Sequence, residues 1–358
     1  MYDALVAHLD DTRSGLRLTY SAEALKRFAG WPLLSVSMPV ERVTFRGVPV
    51  KTFFEGLLPE GEIRQIIAYD FSVPLDDTVG LLEVLGADCP GALVIVSEGV
   101  IPQAQGISES IDDISIAERL RKLPQEPLGV DKRVRLSLAG MQHKLLLGRE
   151  AQGWTLAVNG MPSTHILKPS IAYLSDSVAN EALCMRTAHH MGIDVAKVEI
   201  AHFEDIDTLI ISRYDRVATP NGIERVHQED FCQALKIPPQ KKYESSGGPS
   251  LLACARELRH WVRGSEVLYE LLNRCALNVV LGNADAHGKN LSILHHRSGR
   301  LSLAPAYDLM STAFYGHTSL ELAMSIGGES MINKVGISDL INEAKLWGLD
   351  PDSVKVRL

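Results

Sequence analysis

The strongest constraint in the sequence is a polar segment, residues 283–290, that directly follows an apolar one. Apolar residues recur at helical spacing over residues 267–280, so the sequence predicts a buried helix that Ser265 caps and that ends at Gly282. The polar segment, NADAHGKN, contains too much Gly, Asn and Asp to continue that helix. Two short apolar runs on either side of the turn sequence HRSGR then predict a hairpin over residues 291–304.

The order Asp285, Asn290, Asp308 is the order in which protein kinases place the side chains that transfer a phosphoryl group. In this interpretation Asp285 accepts the proton of the attacking hydroxyl group. Asn290 and Asp308 then hold Mg²⁺, which prefers oxygen ligands. The alternative is that Asp and Asn populate an ordinary loop, and that Asp308 merely caps a helix that starts near Leu309.

Length and charge narrow the classes of function. A chain of 358 residues is longer than one compact core, so two or three subdomains are expected. A formal net charge of -8 argues against a protein that wraps nucleic acid through its own phosphate contacts, although the basic group at residues 132–135 is suited to touch a phosphate. No apolar run is long enough to cross a membrane, and the N-terminus lacks the pattern of a signal peptide. We therefore expect a cytoplasmic location and no membrane partner.

The five cysteines stand far apart, have no metal-binding spacing, and mostly have apolar neighbours. We therefore predict reduced core residues at Cys89, Cys184, Cys232, Cys254 and Cys275. Two pairs of adjacent histidines also lack the usual spacing of metal ligands. We expect solvated surface positions for His189, His190, His295 and His296.

Residues 1–127 predict an α+β accessory domain with a linker, and they offer no evident catalytic set. Ser21 is placed to cap a short helix. Further on, residues 80–86 are typical of a helix and residues 91–97 of a strand. From residue 98 the composition shifts to Gly, Pro, Gln and Ser and then to acidic residues, which indicates a boundary or lid segment.

Residues 128–220 contain three segments suited to binding a nucleotide. The first, residues 134–147, predicts two strands joined by a turn at residues 139–143. Gly140 in that turn permits a phosphate to approach the backbone closely. An ordinary hairpin explains this pattern equally well.

The other two segments are a lysine at the end of a strand and an apolar strand that turns polar. Lys168 stands where a kinase places the lysine that neutralises nucleotide phosphates, and Glu181 on the next helix is placed to orient it. The alternative is a solvated lysine. The strand at residues 207–216 turns polar at Ser212, and is suited to offer backbone groups to an adenine edge and Tyr214 to its face.

Residues 221–358 are predicted to be mainly helical. A Gly-rich loop at residues 247–250 precedes a helix from Leu251 to Trp261. The sequence therefore predicts three parts: an N-terminal subdomain, a nucleotide-binding part and a helical catalytic part.

Taken together, these segments resemble the HipA family, the serine/threonine kinase toxins of bacterial type II toxin–antitoxin operons. The resemblance rests on several rare strings that occur in the family's order. They are FFEGLLP at 53–59, SLAGMQHK at 137–144, THILK at 164–168, NE at 180–181, SRYDR at 212–216, QEDFCQAL at 228–235, KYE at 242–244, NADAHGKN at 283–290 and YDL at 307–309.

The resemblance implies a two-lobed, protein-kinase-like α+β fold with an additional small N-terminal subdomain and a mainly helical C-terminal lobe. It implies ATP and Mg²⁺ as cofactors, Asp285 and Asn290 as catalytic residues, and Asn290 and Asp308 as metal ligands. It also implies that the kinase phosphorylates its own Ser137, and that this modification ejects the loop that contains Ser137 and Gly140 and switches the enzyme off. The nucleotide-binding residues that it implies are Ser137, Ala139, Gly140, Gln142, Lys168, Ser212, Tyr214 and Asp215.

The resemblance further implies two classes of partner. Family members act on aminoacyl-tRNA synthetases, and a helix-turn-helix antitoxin similar to HipB usually binds them and reaches operator DNA. The C-terminal part is expected to be shorter than the family's, because the chain stops at Leu358. Two alternatives remain: a kinase-fold binding partner that acts mainly in operon repression with little turnover, and a small-molecule kinase.

Overall fold

The computed structural model of the protein describes residues 1–2, 4–100, 106–131 and 133–358. Residues 101–105 of the predicted boundary segment, and Lys132 of the basic group, lie outside the described residues. The chain divides into two compact units that alternate along the sequence. Unit 1 comprises residues 1–31, 40–179 and 197–227, and unit 2 comprises residues 32–39, 180–196 and 228–358. The predicted three-part division stays a prediction.

Unit 1 combines a large antiparallel sheet with short helices. Its strands are β1 (Ala7–Thr12), β2 (Gly15–Tyr20), β3 (Thr44–Arg46), β4 (Ile107–Ile111), β5 (Leu145–Glu150), β6 (Gly153–Val158), β7 (His165–Pro169), β8 (Val198–Phe203), β9 (Ile206–Ser212), β10 (Arg216–Thr219) and β11 (Gly222–Arg225). Its helices are α1 (Ala22–Arg27), α2 (Val48–Gly56), α3 (Gly61–Asp70), α4 (Thr78–Leu85) and α5 (Asp113–Lys122).

The main sheet of unit 1 has the strand order β4-β6-β5-β7-β9-β8, and neighbouring strands are antiparallel. Strand β7 is central and pairs with β9 so that Lys168 stands opposite Leu209. Leu209, Ile210 and Ile211 in β9 are all buried, which explains why this part of the strand does not alternate between apolar and polar residues. Strands β1-β2-β3 form a second sheet, and β10-β11 form a hairpin.

A buried cluster of ion pairs joins distant segments of unit 1. Asp88 accepts from Arg216 at 2.8 Å and from Arg213 and Arg225 at 3.3 Å each. Arg213 also donates to Asp215 at 2.8 Å. Burial alone would raise the pKa of Asp88, but Arg216, Arg213 and Arg225 together hold that pKa well below its usual range. The paired charges therefore make the burial of each partner tolerable.

Unit 2 is mainly helical, with short strands. Its helices are α7 (Phe231–Ala234), α8 (Leu251–Trp261), α9 (Glu266–Leu281), α10 (Ile337–Leu346) and α11 (Pro351–Arg357), and α6 (Ser177–His190) runs from unit 1 into unit 2. Its strands are β12 (His227–Asp230), which begins in unit 1, β13 (Ser292–His295), β14 (Leu301–Leu303), β15 (Glu321–Ile326) and β16 (Glu329–Met331). The strands form a sheet of order β12-β13-β14 and a β15-β16 pair.

A buried carboxylate on β12 holds residues 32–39 within unit 2. Glu229 accepts hydrogen bonds from the hydroxyl of Ser35 at 2.6 Å and from the backbone N–H of Val36 at 2.8 Å. Its Oε1 also lies 2.9 Å from Nε2 of His295 on β13. The prediction that His295 is a solvated surface residue is therefore wrong, because this side chain is buried against Glu229.

Several local predictions are confirmed. Helix α1 begins after Ser21, whose hydroxyl accepts from the backbone N–H of Ala24 at 3.0 Å. Helix α8 has the predicted bounds, and β13 and β14 form the predicted hairpin. The five cysteines are free and buried. Both α-helices and β-strands build the fold, as the α+β prediction requires.

Two predicted strands are irregular instead. At residues 91–97 the N–H of Gly91 donates to the Asp215 carboxylate and that of Ala92 to His227, so side chains take the hydrogen bonds that a neighbouring strand would take. The first strand of the hairpin predicted over residues 134–147 does not form, because residues 134–144 are irregular. Leu136 instead makes a single parallel bridge to Asp88.

Two expectations about helix α9 were wrong. The side chain of Ser265 precedes the helix but makes no capping hydrogen bond to the described residues. Val280 is 73% exposed, because it lies on the helix face turned away from the core that Leu271 and Leu272 enter.

Among the described residues, we find no helix with both the length and the apolar character needed to span a bilayer.

We expect Asp88→Asn to lower the free energy of unfolding by about 3–5 kcal/mol, because three arginines lose a buried anionic partner. The pKa of Asp88 is lower in the folded chain than in the unfolded one. Its stabilising contribution is therefore complete above about pH 4 and is lost only as the pH falls toward the folded-state pKa. Denaturant unfolding at neutral pH measures the effect.

The matched control is Asp76→Asn, which changes an exposed carboxylate in the same unit and should alter stability by less than about 0.5 kcal/mol. An Asp88→Asn protein as stable as this control would contradict the role of the cluster.

Candidate functional site

The loop at residues 283–290 begins where helix α9 ends. Gly282 terminates the helix in the left-handed conformation, at φ 70°, which suits glycine. A Cβ atom at this position would also lie 2.9 Å from the Cβ of Ala313. Because the helix stops at this point, the next polar residues leave the helical path and form the loop.

The loop folds around the backbone carbonyl of Asp285. This oxygen accepts from the N–H of His287 at 2.8 Å and from the side-chain amide of Asn290 at 3.1 Å. The N–H of Asp285 donates to the side-chain oxygen of Asn283 at 3.2 Å. The structure therefore brings Asp285 and Asn290, two of the predicted catalytic residues, into direct contact.

The Asp285 carboxylate reaches solvent although protein atoms crowd it. This partial desolvation raises the pKa of Asp285, and the negative charge of Asp308 raises that pKa further. A hydrogen bond from the hydroxyl of Tyr243 to Oδ1, at 2.8 Å, and the positive charge of Lys242 act in the opposite direction. The net effect is a raised pKa, so the ionised group is a stronger base than an ordinary aspartate.

His287 is a buried, neutral side chain that packs against Tyr243, the hydrogen-bond partner of Asp285. Burial, followed by the charge of Lys242, lowers the pKa of His287 to about 3, so the imidazole carries no charge at neutral pH. Its ring lies edge-on to Tyr243, with 5.3 Å between the ring centroids and 88° between the planes. Its Nδ1 atom has no hydrogen-bond partner among the described residues.

Asp308 follows β14 in a left-handed backbone conformation, at φ 58°. Non-glycine residues adopt this conformation rarely, and Asp is one of the types that tolerate it. The neighbouring Tyr307 hydroxyl donates to the Lys289 carbonyl at 2.7 Å, which connects this segment to the 283–290 loop. The alternative that Asp308 caps a helix is wrong, because the next helical turn begins only at Thr312.

The available donors fit a magnesium ion shared with a nucleotide. Asp308 offers a carboxylate and Asn290 an amide oxygen, and these are hard ligands of the kind that Mg²⁺ prefers. Among the described residues there is no group of three or more His, Cys, Asp or Glu side chains that would hold an ion alone. Mg²⁺ commonly uses one or two carboxylates together with substrate phosphates and water, so these two protein donors are compatible with this ion.

The predicted glycine loop, residues 137–143, lies in unit 1, and hydrogen bonds within that unit hold it. Ser137 is 0% exposed, and its hydroxyl donates to the Leu57 carbonyl at 2.5 Å. Gly140 has a φ of 111°, which favours glycine. The Nζ atom of Lys144 donates to the Ala139 carbonyl at 2.8 Å, and Gln142 beside it is half-buried.

The remaining predicted nucleotide residues also lie in unit 1. Lys168 stands one residue before the end of β7 and is only 7% exposed, so the alternative of a solvated lysine is wrong. Ser212 ends β9, and Tyr214 follows it half-buried. The Asp215 carboxylate is buried and bonded to the Gly91 N–H and to Arg213. The Asp215 side chain is therefore part of the buried cluster, and its predicted contact with the nucleotide stays a prediction.

Sequence reasoning assigned no role to three residues that support the site. Tyr243 contacts Asp285, and His287 packs against Tyr243. Asn180 on α6 accepts from the N–H of Ser311 at 2.9 Å and donates to its carbonyl at 3.0 Å, which fixes the chain after Asp308. All three occur within or beside the strings that carry the family resemblance, and that was the only available signal.

Comparison with known proteins gives consistent matches. A family model described as "HipA-like C-terminal domain" matches residues 136–356, and one described as "HipA N-terminal domain" matches residues 1–96. A protein named "Putative kinase Y4mE" from Sinorhizobium fredii is 41% identical over 304 residues, which are 82% of this chain and 72% of that protein. The "Serine/threonine-protein kinase toxin HipA" of Shewanella oneidensis is 32% identical over 326 residues, or 86% of this chain and 73% of that one.

A solved structure is also similar. It is the complex of Shewanella oneidensis HipA, HipB and operator DNA, and the match has a TM-score of 0.86 and 28% identity over 99% of this chain and 85% of that chain. The predicted α+β fold with an additional N-terminal subdomain is thereby confirmed.

We expect Gly288→Ala to destabilise unit 2 by about 1–3 kcal/mol, because the loop packs too closely for a side chain at this position. A Cβ atom there would lie 2.5 Å from Cγ of Pro249 and 3.2 Å from Sγ of Cys232. Denaturant unfolding measures the change.

Gly316→Ala is the matched control in the same unit, since no described atom lies within 4 Å of a Cβ at that position. Equal stability of the two variants would show that the packing around Gly288 is not tight.

Proposed function

This chain belongs to the HipA family, and from that premise we propose that it is a protein kinase that transfers the γ-phosphoryl group of ATP to a serine or threonine of another protein. The observation that carries the proposal is the environment of Asp285. Its carboxylate reaches solvent, has a raised pKa, and lies close enough to Asp308 for the two charges to interact. A positioned base beside a metal-binding carboxylate is what phosphoryl transfer requires.

In the proposed reaction, Asp285 acts as the general base. The acceptor hydroxyl oxygen forms a bond to the γ phosphorus while the bond between that phosphorus and the ADP oxygen breaks. The hydroxyl proton passes to the Asp285 carboxylate. The contacts of the Asp285 backbone with His287 and Asn290 support this role, because they hold the base in one position.

We propose that Asp308 and Asn290 hold Mg²⁺, which would neutralise the negative charge of the ATP phosphates. In unit 1, Lys168 is proposed to contact the nucleotide phosphates, together with the glycine loop that contains Ser137, Ala139, Gly140 and Gln142. Ser212 and Tyr214 are proposed to bind the adenine. The low exposure of Lys168 supports a specific role, because a buried lysine needs a negatively charged or polar partner.

Self-phosphorylation of Ser137 would act as a switch. The Ser137 hydroxyl is fully buried and bonded to Leu57, so it must leave this position before it can accept a phosphoryl group. The modification adds a charge of about -1.5 to -2, which a fully buried position does not accommodate. We propose that the loop then stays displaced and that nucleotide binding is lost.

The family also suggests partners. We propose that the chain is the toxin of a bacterial toxin–antitoxin pair, that it acts in the cytoplasm, and that it arrests growth by modifying an aminoacyl-tRNA synthetase. We further propose that a helix-turn-helix antitoxin similar to HipB binds it. The net charge of -8 supports contact with operator DNA through the antitoxin and not through this chain.

A second function is favoured by one observation, the likeness to a HipA chain solved together with HipB and operator DNA. In that alternative the chain acts mainly as a partner in operon repression, with little catalytic turnover.

We expect Asp285→Asn to lower the rate of phosphoryl transfer by at least about 100-fold, because the amide cannot accept the proton. Transfer of labelled phosphate from Mg²⁺-ATP to a candidate synthetase measures the loss, with the thermal unfolding temperature as a check of the fold. Asp352→Asn, which changes an exposed carboxylate of unit 2, should retain full activity. Transfer by Asp285→Asn at the wild-type rate would exclude Asp285 as the base.

We expect Ser137→Ala to abolish self-phosphorylation and keep transfer to a protein target. The Ser137 hydroxyl is the acceptor in self-phosphorylation only and takes no part in transfer to another protein. Intact-mass and phosphopeptide analysis after incubation with Mg²⁺-ATP measures the modification. If Ser137→Ala were as inactive as Asp285→Asn, Ser137 would be needed for transfer itself and the proposed switch would be wrong.

A further inference from the structure

Tyr243 is the one described side chain that hydrogen-bonds to the Asp285 carboxylate. Its hydroxyl donates to Oδ1 at 2.8 Å across 42 positions of sequence. Oδ2 accepts no hydrogen bond from the described residues. The two oxygens of the carboxylate are therefore not equivalent, because among the described residues a side chain holds Oδ1 alone.

Three contacts fix the chain around Tyr243. The N–H of Gly248 donates to the Tyr243 carbonyl at 2.8 Å. The next residue, Glu244, accepts from both the backbone N–H and the hydroxyl of Ser325, at 2.6 and 2.8 Å. The preceding residue, Lys242, accepts at its carbonyl from the N–H of Gly288 at 3.2 Å, which ties the segment to the 283–290 loop.

The Tyr243 ring has a rigid support as well. The buried ring of His287 meets it edge-on, with 5.3 Å between the centroids, an arrangement that aromatic pairs favour. His287 is itself part of the 283–290 loop. The loop that carries Asp285 thus also orients the hydroxyl group that binds Asp285, and the phenol has little freedom to turn away.

We propose that Tyr243 is a positioning residue that holds Oδ1 of Asp285 and leaves Oδ2 to accept the proton of the acceptor hydroxyl. This inference rests on the proposed kinase activity. In the transfer step the acceptor oxygen bonds to the γ phosphorus, the phosphorus–oxygen bond to ADP breaks, and the proton moves to Oδ2. Without the Tyr243 hydroxyl the carboxylate rotates more freely, and a smaller share of bound complexes has Oδ2 aligned for this step.

The test is Tyr243→Phe, which keeps the ring packed on His287 and removes only the hydroxyl. We expect kcat to fall by about 10- to 100-fold, as for the loss of one hydrogen bond to a charged group. The KM for ATP should stay unchanged, since Tyr243 makes no proposed contact with the nucleotide. Tyr69→Phe, which removes an exposed hydroxyl in unit 1, is the matched control and should leave both constants unchanged.

A double variant isolates the contact. In an Asp285→Asn background, Tyr243→Phe should cause little further loss of rate, because the carboxylate it positions is already absent. An unchanged kcat in Tyr243→Phe, or a rise in KM alone, would overturn the positioning role and leave the kinase proposal standing.

A measurement that needs no activity separates the two proposals. The carboxyl ¹³C resonance of Asp285, assigned by its loss in Asp285→Asn, should shift in Tyr243→Phe and not in Tyr69→Phe. If the wild-type protein transferred no phosphate, the kinase proposal would fail and this resonance would still test the contact. A resonance that stayed in place would overturn the inference about Tyr243.

Discussion

The candidate site depends on the hydrogen bonds that gather at the backbone carbonyl of Asp285. A polar loop after a long helix has many accessible conformations, and fixing each residue costs about 1–2 kcal/mol of conformational entropy. The N–H of His287 and the amide of Asn290 both donate to this one carbonyl, and so they select a single loop conformation. The position of Asp285, the proposed base, the orientation of the Asn290 amide and the packing of His287 all follow from that conformation.

Two aspartate carboxylates, one in each unit, have pKa values shifted in opposite directions. In unit 1 the buried carboxylate of Asp88 is paired with three arginines, which lowers its pKa and makes it structural. In unit 2 the Asp285 carboxylate has a raised pKa because crowding and Asp308 outweigh Tyr243 and Lys242. The environment of Asp88 stabilises its ionised form, and that of Asp285 disfavours it. This difference is consistent with a structural role for Asp88 and with the proposed role of Asp285 as a base.

The parts of the fold that the sequence predicted are those in which the chain pairs with near neighbours. The bounds of α8, the end of α9 and the β13-β14 hairpin all followed from apolar periodicity and turn residues. The errors arose where distant side chains take over backbone hydrogen bonds. The Asp215 carboxylate accepts from the N–H of Gly91, 124 positions away, and no local sequence pattern predicts this contact. The contact of Tyr243 with Asp285 was missed for the same reason, since the two residues lie 42 positions apart.

We propose that the 283–290 loop and Asp308 form a metal-dependent phosphoryl-transfer site. The decisive measurement is calorimetric titration with a non-hydrolysable ATP analogue, with and without Mg²⁺. We expect Mg²⁺ to tighten binding to the wild-type protein, and Asp308→Asn to remove most of this effect while metal-free binding is kept. The same dependence on Mg²⁺ in both proteins would exclude Asp308 as a metal ligand.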